Sequence, residues 1–522
     1  MELFTTTREL AHWRRHRQEQ IHFVPTMGAL HGAHQNLIRR ATEPRDATQP
    51  TVVVSVFVNP LQFGPAEDFL RYPRDLRADA AMAEQAGAAV LFAPAVEEMY
   101  PGGSEMNLFS VRVPDSLSSV LCGRSRPGHF DGVATIVARL LSLVRPDRLF
   151  LGEKDWQQLV ILRRMVESLG MSLAVEGCAT VRDSDGLATS TRNRYLDASE
   201  RERAMALPEA LSEARSVHAN GHCSPLQLVT STRKALEAAG LVVDYVELVD
   251  PCRLCPPIAP HGPAMLAAAV HCGPARLIDH TFLMNRAPIV AIDGPAGAGK
   301  STVTRTLAAR LGLIHLDTGA MYRAFTWWVL QQGADPAAAS AVEPLLEGLE
   351  LQLSAAQGGE LQVWVNGHNV TAAIRSPAVT DQVSVVAAHR CVREALTRQQ
   401  REMGERGGVI AEGRDIGTAV YPHADLKVFL TATVAERGRR RAKDLQQRGF
   451  AVPALIELEA QIAERDHRDS TRAEAPLQMA DDAVEVVTDG MEIATVIQVL
   501  VDLFRQRVPQ DAWPDPAGDM DG

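Results

Sequence analysis

The chain has 522 residues, too long for one domain of about 100–200 residues, so two to four domains are expected. Hydrophobic residues make up 46% and charged residues 22%, as in a globular protein with a sizeable core; the formal net charge of -11 disfavours bulk nucleic-acid binding and leaves small anions in local basic pockets. Seven scattered cysteines do not form a disulfide framework, and the lone Cys252–Cys255 pair has no second CxxC or paired histidine to complete a zinc site.

In chain order, "MELFTTTREL" carries no signal-like apolar segment, and no apolar run reaches about 18 residues, so a cytoplasmic protein without a membrane span is expected. Ile21–Pro25, Thr51–Val58 and Ala89–Pro94 read as buried strands. Helical stretches at Gln35–Ala41 and Asp75–Ala86 separate them. That alternation predicts a parallel, doubly wound α/β sheet, whose ligands bind beyond the C-terminal ends of the strands. The first such end is Val24–His34, "VPTMGALHGAH". Taken alone, His31 and His34 suit a structural role, metal ligation for which no third ligand is near, or contact with an anion at the start of the following helix. Other loops at predicted strand ends are Phe57–Asp75, "RPGHFDGVAT" (Arg126–Thr135), "LGEKDWQQL" (Leu151–Leu159) and "DGLATSTRN" (Asp185–Asn193). Strands at Val242–Asp250 and Ala264–Val270 predict a smaller α+β unit.

The pattern restarts near Met284–Ala287, where "PIVAID" runs into "GPAGAGKST". Gly294, Gly299, Lys300 and Ser301 complete a P-loop between a strand and an amphipathic helix, Thr302–Leu311. Backbone N–H groups of such a loop, including Gly297, cradle phosphates. Lys300 reaches the β/γ-phosphates, and the Ser301 hydroxyl suits Mg²⁺. Further strands fall at Gly408–Gly413, Leu426–Leu430 and Ala483–Asp489. Arg465, Arg468 and Arg472 are spaced to share one helical face. Such a run reads either as a solvated face, which would account for about half of these arginines, or as an anion site, since stacked like charges cost energy that the anions of phosphoryl transfer between nucleotides would offset. The Pro-, Gly- and Asp-rich tail, residues 509–522, is expected to be disordered.

The second half resembles the cytidylate kinase family over roughly Ala287–Arg507, through "IDGPAGAGKST", "LDTGAMYR", "GRDIG" and "RDHRDSTRAEAPL". The resemblance implies a P-loop nucleoside monophosphate kinase, residues 285–508, that transfers the ATP γ-phosphate to CMP or dCMP. It implies ATP binding by Gly294, Gly297, Gly299, Lys300, Ser301 and Thr302. Ser384, Arg393 and Asp415 would read cytosine. Arg323, Arg414 and Arg472 would hold the CMP phosphate or adjacent groups, Asp469 and Arg465 the ribose. Thr318 stands where a serine is commoner and keeps the hydroxyl. The alternating stretch Leu351–Thr371 matches the family's small extra sheet, and the arginine-rich helix Arg437–Lys443 its mobile lid.

The first half resembles the pantothenate synthetase family over roughly Glu2–Leu283, at five or more separated motifs in the family's order. The implied fold is a Rossmann-like HIGH-type nucleotidyltransferase domain with a small α+β subdomain: residues 1–284, divided near residue 185. His31–His34 stand in the HIGH position and Ser190–Arg192 in the KMSKS-like position. The implied reaction is attack of pantoate on the ATP α-phosphorus, then displacement of AMP by β-alanine. His31, His34, Lys154, Ser190, Thr191 and Arg192 would stabilise the charge that develops on phosphorus and pyrophosphate. Met27, Gly28, Gly152, Asp155, Val181 and Thr189 would complete the ATP pocket. Gln62 and Gln158 would hold pantoate, with Arg126 and His129 beside them. Mg²⁺, no nucleic-acid partner and a homodimer through the N-terminal half are also implied. Two residues depart from the pattern: Ala33 where glycine usually precedes the second histidine, and Thr191 for serine. The chain thus reads as two ATP-using enzymes in tandem.

Overall fold

A computed structural model describes residues 1–44, 48–65, 67–102, 109–221, 223–257, 263–355, 361–447, 449 and 451–516. The predicted stretch Leu351–Thr371 therefore lies partly outside the described residues. The chain forms two compact units: Met1–Asn285 with Val508–Pro514, and Arg286–Arg507 with Asp515 and Pro516.

In the first unit, β1 (Glu2–Phe4), β2 (Ile21–Thr26), β3 (Thr51–Val56), β4 (Val90–Phe92), β5 (Arg148–Gly152) and β6 (Ala174–Cys178) form one parallel sheet in the order β1-β4-β3-β2-β5-β6. The order reverses direction between β2 and β5, so the loops after those strands flank the switch-point crevice. Strand β1 was not legible in the sequence because three residues are too short for a pattern.

An antiparallel sheet follows, made of β7 (Val242–Val249), β8 (Ala264–Cys272) and β9 (Ala275–Leu283). Strand β8 is apolar without alternation because both its faces are covered. Met265, Ala267 and Ala269 pack into the main core. Leu266, Ala268 and Val270 pack with Leu207, Leu211 and Leu236 into a second. Strand β9 was not expected from the sequence, since Asp279, His280 and Thr281 interrupt its apolar run; all three are buried.

The second unit contains a parallel sheet built from β10 (Ile289–Asp293), β11 (Ile314–Asp317), β15 (Val409–Gly413), β16 (Leu426–Thr431) and β17 (Val484–Val487) in the order β11-β15-β10-β16-β17. Strands β12 (Leu351–Ala355), β13 (Leu361–Val365) and β14 (His368–Asn369) form a small antiparallel sheet. Among the described residues, no helix is long and apolar enough to cross a membrane.

The expected disorder of the tail is corrected for residues 509–516. Amides of Ala512 and Trp513 close a turn onto the carbonyl of Pro509, and Ala512 packs against the first unit's core. Composition signals a lack of apolar residues but not specific buried hydrogen bonds, which hold this segment instead. Residues 517–522 lie outside the described residues.

Candidate functional sites

In the first unit, Gly28 and Ala29 follow β2 with left-handed backbones, at φ 82° and 50°. A Cβ on Gly28 would lie 2.8 Å from Asp79 Oδ2 and 2.9 Å from Val56 Cγ1, so only glycine fits this turn. The buried Asp79 carboxylate accepts the N–H groups of Ala29 (3.0 Å) and Leu30 (2.7 Å), aiming the chain into the helix Gly32–Thr42. His31 caps that helix and His34 lies in its first turn, their ring centroids 4.1 Å apart. The His31 N–H donates to His34 Nδ1 at 3.3 Å, which places the His34 proton on Nε2. Burial, together with the Lys154 charge, lowers His31 to a pKa of about 4; burial and His31 lower His34 to about 3. Both rings are neutral at physiological pH. Ala33 sits inside the right-handed helix, so the left-handed conformation that favours glycine falls at Gly28 and Ala29 instead.

One cavity is lined by Arg126, His129, Lys154, Asp155, Gln158, Ser190 and Arg192. Gly152 ends β5 and delivers Lys154 and Asp155, whose ammonium and carboxylate are 3.6 Å apart. Arg126 and His129 both donate to the Gln62 carbonyl (3.3 and 2.7 Å), and the Gln62 amide reaches Met27 Sδ at 2.8 Å. Thr191 Oγ1 donates to the Ala29 carbonyl at 3.3 Å, joining the Ser190–Arg192 loop to the turn before the histidines. Thr189 N–H donates to the Val181 carbonyl at 2.9 Å, while the Thr189 hydroxyl turns to Asp183. The candidates thus gather around the β2–β5 crevice.

The acidic residues that hold these cations were missed in the sequence. Glu67 accepts from Arg126 Nε at 2.6 Å and Nη2 at 2.5 Å; Asp68 accepts from Arg192 Nε at 3.2 Å and Nη2 at 2.9 Å. Both lie within the stretch Phe57–Asp75, yet acidic side chains there read as solvated charge unless their arginine partners are known.

In the second unit the P-loop follows β10. Gly294 has φ 150°, and a Cβ there would lie 2.0 Å from the Leu430 carbonyl oxygen of β16. Gly297 and Gly299 also have positive φ, and Thr302 lies in the first turn of the helix Lys300–Leu311. Buried Lys300 donates to the carbonyls of Gly294 (2.7 Å) and Pro295 (2.9 Å), and burial drives its pKa well down. Ser301 Oγ donates to Glu412 Oε2 at 3.0 Å, and Thr318 Oγ1 to the Glu412 carbonyl at 2.7 Å.

The loop after β15 carries Arg414 and Asp415. Asp293, at the end of β10, accepts the N–H groups of Ile416 and Gly417, each at 2.7 Å, and burial pushes its pKa up to about 6. This residue was also missed: one acid closing a strand gives no sign that it will hold a distant loop. Arg393 pairs with Asp415 and lies over the Tyr322 ring, and Arg472 Nη2 approaches Asp415 Oδ1 at 3.5 Å. Arg414 bonds Asp469 at 3.0 Å, and Arg323 bonds Asp317 at 3.0 Å. Burial, then the charges of Arg414 and Arg323, lower Arg465 to about 10, a pKa that still leaves it cationic. Ser384 lies on the neighbouring helix Pro377–Val386.

The helical-face expectation for the three arginines needs correction. Arg465 lies within the helix Leu455–Thr471 beside the site, Arg468 is half exposed and pairs with Glu464, and Arg472 caps the helix end. The predicted lid region lies in the helix Val434–Gln447, where Arg437 donates to the Ala296 carbonyl (3.1 Å) and Arg440 to that of Ala298 (3.2 Å), gripping the P-loop.

Residues 2–282 match the pantoate-beta-alanine ligase family model and residues 290–506 the cytidylate kinase model. The bifunctional pantoate ligase/cytidylate kinase of Synechococcus sp. (strain CC9902) is 61% identical over 493 residues, 94% of this chain and 100% of the relative. That of Parasynechococcus marenigrum (strain WH8102) is 60% identical over 516 residues, 99% of this chain and 100% of the relative. A pantothenate synthetase crystal structure from Thermus thermophilus aligns with TM-score 0.50 and 45% identity, covering 54% of this chain and 98% of that one. With both sites in one polypeptide and relatives matched over nearly its whole length, the chain belongs to the bifunctional pantoate ligase/cytidylate kinase family.

Proposed function

We propose that the β2–β5 crevice of the first unit joins pantoate to β-alanine through pantoyl adenylate. A pantoate carboxylate oxygen attacks the ATP α-phosphorus and pyrophosphate leaves. The β-alanine amine then attacks the acyl carbon, and AMP leaves with its bond to that carbon broken. The protein's part is electrostatic: Lys154 and Arg192 bring fixed positive charge, while Ser190 and Thr191 bring hydroxyls. His34, neutral with Nδ1 occupied as an acceptor and its proton on Nε2, has that one N–H to donate to charge developing on the phosphates. His31, Met27, Gly28, Gly152, Asp155, Val181 and Thr189 complete the nucleotide pocket. Gln62, Gln158, Arg126 and His129 bind the two acids.

The second unit transfers the ATP γ-phosphate to CMP or dCMP. Lys300 and the P-loop amides hold the donor phosphates. Arg323, Arg414, Arg465 and Arg472 surround the acceptor phosphate and ribose with Asp469, and Arg393, Asp415 and Ser384 face the base. Mg²⁺ keeps few protein oxygens and takes the rest from phosphates and water. The Ser301 hydroxyl, 3.0 Å from the Glu412 carboxylate, suits that requirement. When bound, the metal neutralises phosphate charge during transfer.

The observation that carries the two-enzyme reading is the presence of two separate sites rich in cationic groups, one around Lys154 and Arg192 and one where Arg414 and Arg465 stand near Lys300, each in its own unit. The acceptor assignment rests on the buried Arg393–Asp415 pair, whose remaining donor and acceptor positions are fixed by that pairing and would not match the edge of a wrong base. Phosphorylation of CMP, dCMP, AMP and UMP by the full chain tests it. CMP and dCMP should exceed AMP by about 10² or more in kcat/KM, and Arg393→Ala should shrink that ratio. Equal rates with AMP would remove the cytidylate assignment. Homodimerisation through the first unit and a cytoplasmic location without nucleic-acid partners complete the proposal.

A further inference from the structure

Hydrogen bonds join the segment Val508–Pro514, which follows the kinase sequence in the chain, to the ends of β5 and β6. Glu153, only 1% exposed, accepts the N–H groups of Gln510 (2.9 Å) and Asp511 (2.8 Å). Asp511 accepts the Thr180 N–H at 2.8 Å and the Thr180 hydroxyl at 2.5 Å, and Gln510 Oε1 accepts the Ala179 N–H at 3.1 Å. His280, on the wall of the ligase cavity, has Nε2 3.8 Å from Asp511 Oδ2.

The placement matters because of what lies next in sequence. Glu153 immediately precedes Lys154 and Asp155; Thr180 immediately precedes Val181. A buried carboxylate needs donors, or its loop must move until water supplies them. Glu153 takes two of its donors from the segment, and burial followed by the Asp511 charge raises its pKa to about 7. A protein needing only to cover this surface could do so with apolar contacts. Here the segment instead supplies directional bonds to the two strand ends that present the nucleotide-facing residues.

We propose that Val508–Pro514 is a positioning element of the ligase ATP site, with Asp511 as its principal positioning residue. It sets the backbone of Glu153–Asp155 against that of Ala179–Val181, and so fixes Lys154 and the edge formed by Val181. Sequence encoded beyond the kinase thereby serves the ligase reaction. The proposal rests on the ATP-site reading given above for Lys154 and Val181.

The test is steady-state ligase kinetics on full-length protein carrying Asp511→Ala, Asp511→Asn, Thr180→Val, or Asp511→Ala with Thr180→Val. Asp511→Ala is expected to raise KM for ATP about five- to tenfold, the scale of one or two lost hydrogen bonds, with kcat changed less than twofold and CMP phosphorylation unchanged. Asp511→Asn, which keeps an acceptor for the Thr180 N–H, should restore most of the ATP affinity. Thr180→Val should raise KM less, and its effect should not add to that of Asp511→Ala. An unchanged KM for ATP in Asp511→Ala overturns the proposal. So does a lowered one, which would make the segment an obstruction. Additive effects of the two substitutions would also overturn it. A parent chain that makes no pantothenate would instead remove the ligase reading beneath it.

Discussion

On the proposed site assignments, the two units hold a triphosphate in opposite ways. In the kinase unit the cradle is one stretch, Gly294–Thr302, whose amides, lysine and hydroxyl arrive together between β10 and its helix. In the ligase unit the groups proposed for that role come from three separated places: the helix start at His31–His34, the end of β5 at Lys154, and the loop at Ser190–Arg192. A contiguous cradle places its burden on backbone conformation. A dispersed one places it on side chains that tie loops together, such as Asp79, Asp68 and Thr191. A backbone change should therefore be most damaging in the second unit, and a side-chain change in the first.

The largest expected effect is Gly294→Ala. Its Cβ would meet the Leu430 carbonyl oxygen at 2.0 Å on a backbone at φ 150°. The variant should lose CMP kinase activity by more than about 10³, since a misplaced loop forfeits several phosphate contacts at once, and keep its ligase rate. Near-parental kinase activity would show that the loop is not fixed by that contact.

His34→Ala should lower kcat for pantoyl-adenylate formation by about 10²–10³, as loss of one donor to developing charge does, and change KM for ATP less. Single-turnover measurement of pyrophosphate release is the check. A parental rate would return the His31–His34 pair to a structural role. Ala33→Gly should have the smallest effect. Ala33 lies in a right-handed helix, so the glycine usual in the family is not required there. KM for ATP in the ligase reaction should stay within about twofold, with a loss of stability of about 1 kcal/mol from helix propensity. A marked fall in KM would mean that the Ala33 methyl crowds the nucleotide.

The same contrast explains what the sequence revealed. The P-loop was legible because its chemistry is local: spacing, a preceding strand and a following helix suffice. The ligase histidines became interpretable only beside Lys154 and Ser190–Arg192, through a resemblance spread over the whole first half. The groups that escaped notice are acids. Asp79, Glu67, Asp68 and Asp293 hold amides or arginines from distant segments, and no local pattern distinguishes them from surface charge. The tail was misjudged for a related reason. Asp511 and Gln510 look like solvated residues until Ala179, Thr180 and Glu153 are placed against them.

The most direct test of two independent phosphate sites in one chain is a crossed pair of variants, Lys154→Ala and Lys300→Ala, each assayed for pantothenate and for CDP. Lys154→Ala should lose pantothenate formation by about 10²–10³ and phosphorylate CMP at the parental rate; Lys300→Ala should do the reverse. If either substitution disables both reactions in a chain that remains folded, the account of two separate sites is contradicted.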